Sequence, residues 1–270
     1  MKIGNRNFAI GNHTYVMGIL NVTPDSFSDG GSYNQIDSAL FHVEEMIRDG
    51  ADIIDVGGES TRPGYEQISE EEERGRVVPI IEQIKERFDI PVSLDTYKAK
   101  VAEAGIAAGV DLINDIWGLK ADESMAKVIA DANIPCCLMH NRKEAMYREY
   151  IQDVLSDLEE SSVLARNAGI ANDKIILDPG IGFAKTYEQN LELLNNLEIL
   201  HSFGYPVLLG TSRKSVIGLT LDVMPRERVA GTIATTVMGV MKGCSFVRVH
   251  DIKENVQAIK MTEAILQAEK

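Results

Sequence analysis

Three cysteines in 270 residues are too few for a disulfide framework. Cys136 and Cys137 are adjacent within an apolar run and Cys244 lies far away, which is not zinc-ligand spacing. They read as small buried residues of a cytoplasmic protein. No apolar run approaches the length needed to cross a bilayer. Met1-Lys2-Ile3-Gly4-Asn5-Arg6 has no apolar h-region, so no signal peptide is expected. Positive charge is in deficit: a net charge of −14 argues against general nucleic-acid binding, which needs a basic face. An anionic small substrate stays open, because charge at a site can oppose the global charge. Also missing are a Gly-x-Gly-x-x-Gly after the first strand-like run, an apparent Ser-His-Asp order, and any linker or break in composition.

What is there is a repeated alternation. Short runs rich in Ile, Val and Leu recur at Tyr15–Asn21, Ala51–Gly58, Pro91–Thr96, Asp111–Gly118, Ile134–His140, Lys174–Gly180, Pro206–Ser212 and Phe246–His250. They are mostly continuous rather than alternating, as parallel strands buried on both faces are. Helical stripes lie between them. One starts at Ser69-Glu70-Glu71-Glu72, which reads as a capping box; Pro79 inside it predicts a kink or a late helix start. The expected fold is α/β: a single (β/α)₈ TIM barrel over residues 1–270 as one domain. A short hairpin over Lys2–Asn12, punctuated by Gly11-Asn12, precedes it. The rival, an open doubly wound sheet, lacks its glycine fingerprint here. The helix over Gly231–Gly243 has hardly any charge before Lys242. Its readings are a subunit interface of a symmetric homodimer or a helix covered by its own neighbours, and the interface is the one expected.

In a barrel, side chains at the C-terminal ends of the strands converge on one mouth. Nearly every strand here delivers a polar group to that end. Any one of them has a plain reading, such as a helix cap at Asp95 or Asp178; six or more together do not. The inner set, Asp95, Asn114, Asp178 and Lys214, could grip a planar heterocycle such as a pterin or purine edge, through opposed carboxylates, an amide and one long cation. The outer set, Thr61, Arg62, Arg248 and His250 with Asn21, could hold a phosphate or pyrophosphate. Asn21 offers a carbonyl oxygen to a hard cation such as Mg²⁺. With few obvious nucleophiles, transfer with an ionised leaving group is expected rather than covalent catalysis.

Asn21-Val22-Thr23-Pro24-Asp25-Ser26-Phe27-Ser28-Asp29-Gly30-Gly31, Gly58-Glu59-Ser60-Thr61-Arg62-Pro63-Gly64, Asn114-Asp115, Asp178–Phe183 and Gly210–Ser215 resemble the dihydropteroate synthase family of bacterial folate synthesis, over about Met17 to His250. The resemblance implies condensation of 6-hydroxymethyl-7,8-dihydropterin pyrophosphate with p-aminobenzoate, with Mg²⁺, in an enzyme that sulfonamides target. It implies that Asp95, Asn114, Asp178 and Lys214 hold the pterin, and Asn21, Arg248 and His250 the pyrophosphate. Phe27 and Pro63 would shape a p-aminobenzoate pocket beside Phe183, Lys214 and Ser215. Asp95, Lys214, Arg248 and Asp25 are expected as the catalytic set, with Thr61, Arg62, Ser26 and Met139 among the substrate contacts. Asn21 would be the fixed part of its loop and Pro24–Gly31 the movable part. The homodimer is expected to use Gly231–Gly243 and the last helix. Two alternatives are a pterin-binding methyltransferase acting on a methylfolate, and a pterin-binding protein without catalysis.

Overall fold

The Ile/Val/Leu runs form strands, and each is stopped where a polar or glycine-rich segment begins. In the computed structural model, residues 1–23, 32–60 and 67–268 are described, apart from the side chains of 32–35. An antiparallel hairpin, β1 (Lys2–Ile3) and β2 (Arg6–Asn7), comes first. One parallel sheet follows: β3 (Tyr15–Asn21), β4 (Ile53–Gly57), β5 (Val92–Asp95), β6 (Leu112–Asp115), β7 (Cys136–Met139), β8 (Ile175–Asp178), β9 (Leu208–Leu209) and β10 (Phe246–Val249). Its spatial order is β8-β7-β6-β5-β4-β3-β10-β9. A parallel bridge between Leu177 and Val207, with the Leu177 N–H donating to the Pro206 carbonyl at 3.0 Å, joins the two edges into a barrel.

Helices α1 (Ser32–Asp49), α2 (Glu70–Arg87), α3 (Ala99–Ala107), α4 (Met125–Ala132), α5 (Tyr150–Ala168), α6 (Tyr187–Asn195), α7 (Ser215–Leu221), α8 (Val229–Met241) and α9 (Ile252–Gln267) lie between the strands. Outward strand residues such as Val16, Ile54, Val56, Leu94 and Ile113 share one apolar layer with the inward stripes of these helices. This two-sided burial is why the strands read as continuous apolar runs. Among the described residues no helix is long and apolar enough to cross a membrane.

One sequence expectation holds and one needs correction. The expected hairpin lies within Lys2–Asn12 and turns at Gly4-Asn5, with Gly4 in the left-handed region at φ 57°. Helix α2 begins at Glu70, well before Pro79, so the late start does not occur. Ser69 caps it by accepting the Glu72 N–H at 3.1 Å, and four glutamates in the first turn complement the positive end of the helix dipole. That start outweighs a proline whose cost falls only in mid-helix.

The barrel interior is layered. Met17, Ile53, Leu112, Cys137, Ile176, Leu208 and Phe246 fill its N-terminal end together with Ile3 and Phe8 of the hairpin region. Inward residues recur every second position. Two residues further along the same strands, the inward positions are Asp55, Asn114, Asp178 and Arg248. The chain thus changes from a dry plug to a polar floor within one step of the pleat.

Candidate active site

Strand register assembles the floor. Asp95 pairs with Asn114 across β5 and β6, and Met139 pairs with Asp178 across β7 and β8. The C-terminal mouth encloses a cavity of about 680 Å³ lined by Asn21, Asp95, Asn114, Met139, Asp178 and Phe183, and also by Lys214, Ser215, Arg248 and His250. Ten sequence-expected residues therefore come together. Asp25, Ser26, Phe27, Thr61, Arg62 and Pro63 lie outside the described residues.

A buried ion network sits at the centre. Arg248 donates from Nε to Asp55 Oδ2 at 2.6 Å and from its guanidinium end to Asp95 Oδ2 at 2.8 Å. Asn114 Nδ2 also donates to Asp55 Oδ2, at 3.3 Å. Burial opposes the Arg248 charge, but Asp55 and Asp95 hold the guanidinium protonated well above its usual range. Burial pushes the Asp95 carboxyl up to about 7, with Arg248 pulling it back. Oδ1 of Asp95 and Oδ1 of Asp55 are buried with no hydrogen-bond partner among the described residues. An unpaired buried acceptor is costly, so Asp95, a residue of the cavity wall, carries an unmet demand for a donor.

Opposite, Asp178 receives the Gly180 N–H at Oδ1, at 2.7 Å. Burial raises its pKa and Lys214 opposes that rise. Lys214 donates to the Ile181 carbonyl and stands 4.6 Å over the Phe183 ring. Burial brings its ammonium down to about 8, against the pull of Asp178. Gly210 leaves the space between them: a Cβ there would lie 3.5 Å from Asp178 Oδ2 and 3.9 Å from Lys214 Nζ.

The loop after β9 carries Lys214 and is fixed at several points. Arg213, left-handed at φ 56°, bonds Asp251 through Nε at 2.9 Å and through a second guanidinium nitrogen. Its backbone N–H donates to Thr232 Oγ1 at 3.0 Å, and its carbonyl accepts from Arg228 at 2.9 Å. Ser212 Oγ accepts the His250 backbone N–H at 3.1 Å and lies 2.9 Å from His250 Nδ1, which orients the imidazole beside Arg248.

Asp55 was not legible as a site residue. It is fully buried, and it organises both Arg248 and Asn114. The available signal was a carboxylate inside the apolar run Ile53-Ile54-Asp55-Val56, where an unpaired charge is not tolerated. His140, read as another polar strand end, is turned out of the mouth to Asp157 and Lys185. Met139 takes the inward position beside Asp178, so its neighbour must face the other way.

Geometrically, the mouth offers two carboxylates, an amide and an ammonium around a slot, with the Arg248 guanidinium and the His250 imidazole at its edge beside Asn21. Comparison with known proteins agrees with that character. The model of a family described as pterin binding enzyme matches residues 17–250. Dihydropteroate synthase of Clostridium beijerinckii is 65% identical over 268 residues, covering 99% of this chain and 100% of the relative. That of Bacillus subtilis is 58% identical over 253 residues, covering 94% and 89%. Among solved structures, the chain is similar to dihydropteroate synthase from Clostridium difficile in the presence of pteroic acid. There the TM-score is 0.94 at 51% identity, with 96% and 99% of the two chains covered. It is also similar to the Yersinia pestis enzyme in a sulfonamide drug complex, with TM-score 0.92, 42% identity and 99% of each chain covered.

Proposed function

The chain belongs to the pterin-binding enzymes as a dihydropteroate synthase, and from that premise we propose how its mouth carries the reaction. The reaction joins 6-hydroxymethyl-7,8-dihydropterin pyrophosphate to p-aminobenzoate, giving 7,8-dihydropteroate and pyrophosphate. The pterin sits on the floor, its amino and ring N–H groups given to Asp95 and Asp178, and its acceptors met by Asn114 and Lys214. The observation that carries this seat is at Asp95, which lines the cavity: Arg248 takes its Oδ2, and its Oδ1 is buried with no partner among the described residues.

Substitution is dissociative. The bond from the methylene carbon to the pyrophosphate oxygen breaks, and its electron pair leaves with pyrophosphate. The cation left on carbon is delocalised into the ring, where the Asp95 and Asp178 carboxylates stabilise it. Arg248 and His250 receive the departing negative charge. The amine of p-aminobenzoate, seated beside Phe183, Lys214 and Ser215, then forms the C–N bond and releases a proton. An aromatic amine is nucleophilic at neutral pH without a dedicated base. Residues Asp25, Ser26, Phe27, Thr61, Arg62 and Pro63 are assigned by the resemblance of their motifs, as the two loops that border the amine pocket.

Magnesium fits this mouth. Asn21 lines the cavity and presents a neutral side-chain oxygen there, 3.7 Å from the Cβ position of Gly57. Among the described residues no group of three His, Cys, Asp or Glu could hold a metal alone. Mg²⁺ often takes one or two protein oxygens and completes its shell with water and phosphate. Asn21 would hold it; when bound, the ion neutralises charge on the pyrophosphate.

A homodimer is part of this reading. Helix α8 buries Thr232, Thr236, Gly239 and Val240 inward, while Met241 on its outside is 62% exposed. On α9, Met261 and Ile265 are exposed as well. This apolar surface suits an isologous contact. Sedimentation as a dimer at micromolar concentration is the expected result, and a monomer there would remove the contact from the account. The functional reading itself is tested by incubating the protein with the two substrates and Mg²⁺: dihydropteroate should form, and no product from folded protein would refute it.

A further inference from the structure

Beyond the mouth, one buried cluster has no part in the chemistry above. Lys185 Nζ has three acceptors: His140 Nδ1 at 2.8 Å, the Gly180 carbonyl at 2.9 Å and the Phe183 carbonyl at 3.0 Å. Because His140 Nδ1 accepts, its proton is on Nε2, which donates to Asp157 Oδ2 at 3.0 Å. Asp157, on α5, also receives Arg142 Nε at 2.6 Å. The Arg142 guanidinium covers the Tyr147 ring at 4.4 Å, and the Tyr147 hydroxyl donates to the Ala184 carbonyl at 2.8 Å. Neither His140 nor Lys185 lines the cavity.

Three of these bonds, from Lys185 to Gly180 and Phe183 and from Tyr147 to Ala184, end on the turn after β8. That turn is left-handed at Gly180 (φ 69°), Gly182 (φ 84°) and even Ala184 (φ 43°). A Cβ on Gly180 would lie 2.0 Å from the His140 carbonyl oxygen, so the two loops cross in contact. A non-glycine residue in this region costs about 1 kcal/mol and does not hold itself there. Yet the turn aims three groups of the site. Its Gly180 N–H orients Asp178, its Ile181 carbonyl takes Lys214, and it presents the Phe183 ring under the Lys214 ammonium.

We propose that Lys185, seated on His140 and backed by Asp157, is a positioning residue for the condensation: it clamps the 180–184 turn so that Asp178, Lys214 and Phe183 hold the pterin and the incoming amine in line. This rests on the dihydropteroate synthase reading of the mouth. The use of a cation has its own cost. Burial and the nearby Lys214 bring Lys185 down to about 7, a penalty that a neutral amide would avoid. What the ammonium adds is a positive field on Asp178, which helps keep that carboxylate ionised.

The test varies each substrate in Lys185→Met, Asp157→Asn and the double variant, with thermal melting alongside. Lys185→Met should raise KM for both p-aminobenzoate and the pterin pyrophosphate and lower kcat, each about tenfold, as expected for misplacement of reacting groups. Inhibition by inorganic pyrophosphate, bound at the Arg248 and His250 edge, should stay as in the wild type. Asp157→Asn should shift the same constants about threefold, and the double variant should be no worse than Lys185→Met, because the residues act as one unit. Unchanged KM values with a lowered melting point would make Lys185 a structural peg and overturn the proposal; so would additive effects. If Lys185→Met fails to fold, wild-type constants in Asp157→Asn overturn it. A wild-type protein that makes no dihydropteroate refutes the underlying reading instead, whereas an active wild type with an indistinguishable Lys185→Met refutes the clamp alone.

Discussion

The two ends of the barrel are built from the same strands and do opposite things. At the N-terminal end Met17, Ile53, Leu112, Cys137 and Phe246 close with Ile3 and Phe8 into a dry plug. One pleat step on, about 7 Å along each strand, Asp55, Asn114, Asp178 and Arg248 form a floor with buried oxygens unpaired among the described residues. The plug holds the barrel together, whereas the floor keeps charges where burial disfavours them. Stability and chemistry are therefore separated by depth rather than by element, and a substitution should affect one or the other according to its layer.

The largest effect on that division should come from the plug. Phe246→Ala removes a fully buried aromatic and should cost about 3–5 kcal/mol in denaturant unfolding. KM values of the folded enzyme should be unchanged; raised KM values would mean that the layers are mechanically coupled. Next is Asp95→Asn, which should lower kcat/KM by about 10²–10³-fold with the fold intact. Full activity would remove Asp95 from the site. The stability gap between wild type and this variant should narrow as pH rises from about 5 to 8. Asp95 is held above its ordinary value of 3.8, at about 7, so the folded chain binds its proton more tightly than the unfolded one. Wild-type stability therefore falls as pH rises through that window, and Asn removes the penalty. A gap that widens from pH 5 to pH 8 would contradict this.

Asp55→Ala should fall between the two classes. It leaves Arg248 with one carboxylate, costs about 3 kcal/mol of stability, and weakens turnover because Arg248 and Asn114 lose their common acceptor. A variant with only one of these defects would show that Asp55 belongs wholly to one layer. The smallest effect is expected on the pH profile. If the working state needs ionised Asp95, kcat/KM for the pterin substrate should fall as pH drops below about 7, and Asp95→Asn should lose that limb.

The strands were legible because burial on both faces leaves continuous Ile, Val and Leu, and the floor was legible because strand ends of a barrel converge. What escaped was parity. Asp115 and His140 each follow an inward residue, Asn114 and Met139, so both point away from the mouth. Asp115 instead accepts the Trp117 and Leu119 N–H groups, each at 2.8 Å. A polar strand end does not by itself show which way it faces; pairing register does. Asp55 escaped because it lies inside an apolar run and its partner, Arg248, is 193 residues away. The hairpin was legible but its turn was not, because Gly4 and Gly11 both adopt positive φ and only the pairing of Ile3 with Arg6 selects the first. Asp25, Phe27, Arg62 and Pro63 lie in segments 24–31 and 61–66, outside the described residues, and rest on the resemblance of their motifs.

In the mechanism proposed above, the buried carboxylates stabilise a cation formed before the amine attacks. This order of events is tested most directly by following pyrophosphate release from 6-hydroxymethyl-7,8-dihydropterin pyrophosphate with Mg²⁺ and no p-aminobenzoate. The account predicts release in a single turnover by the wild type and its loss in Asp95→Asn. Pyrophosphate that appears only once p-aminobenzoate is added would contradict it.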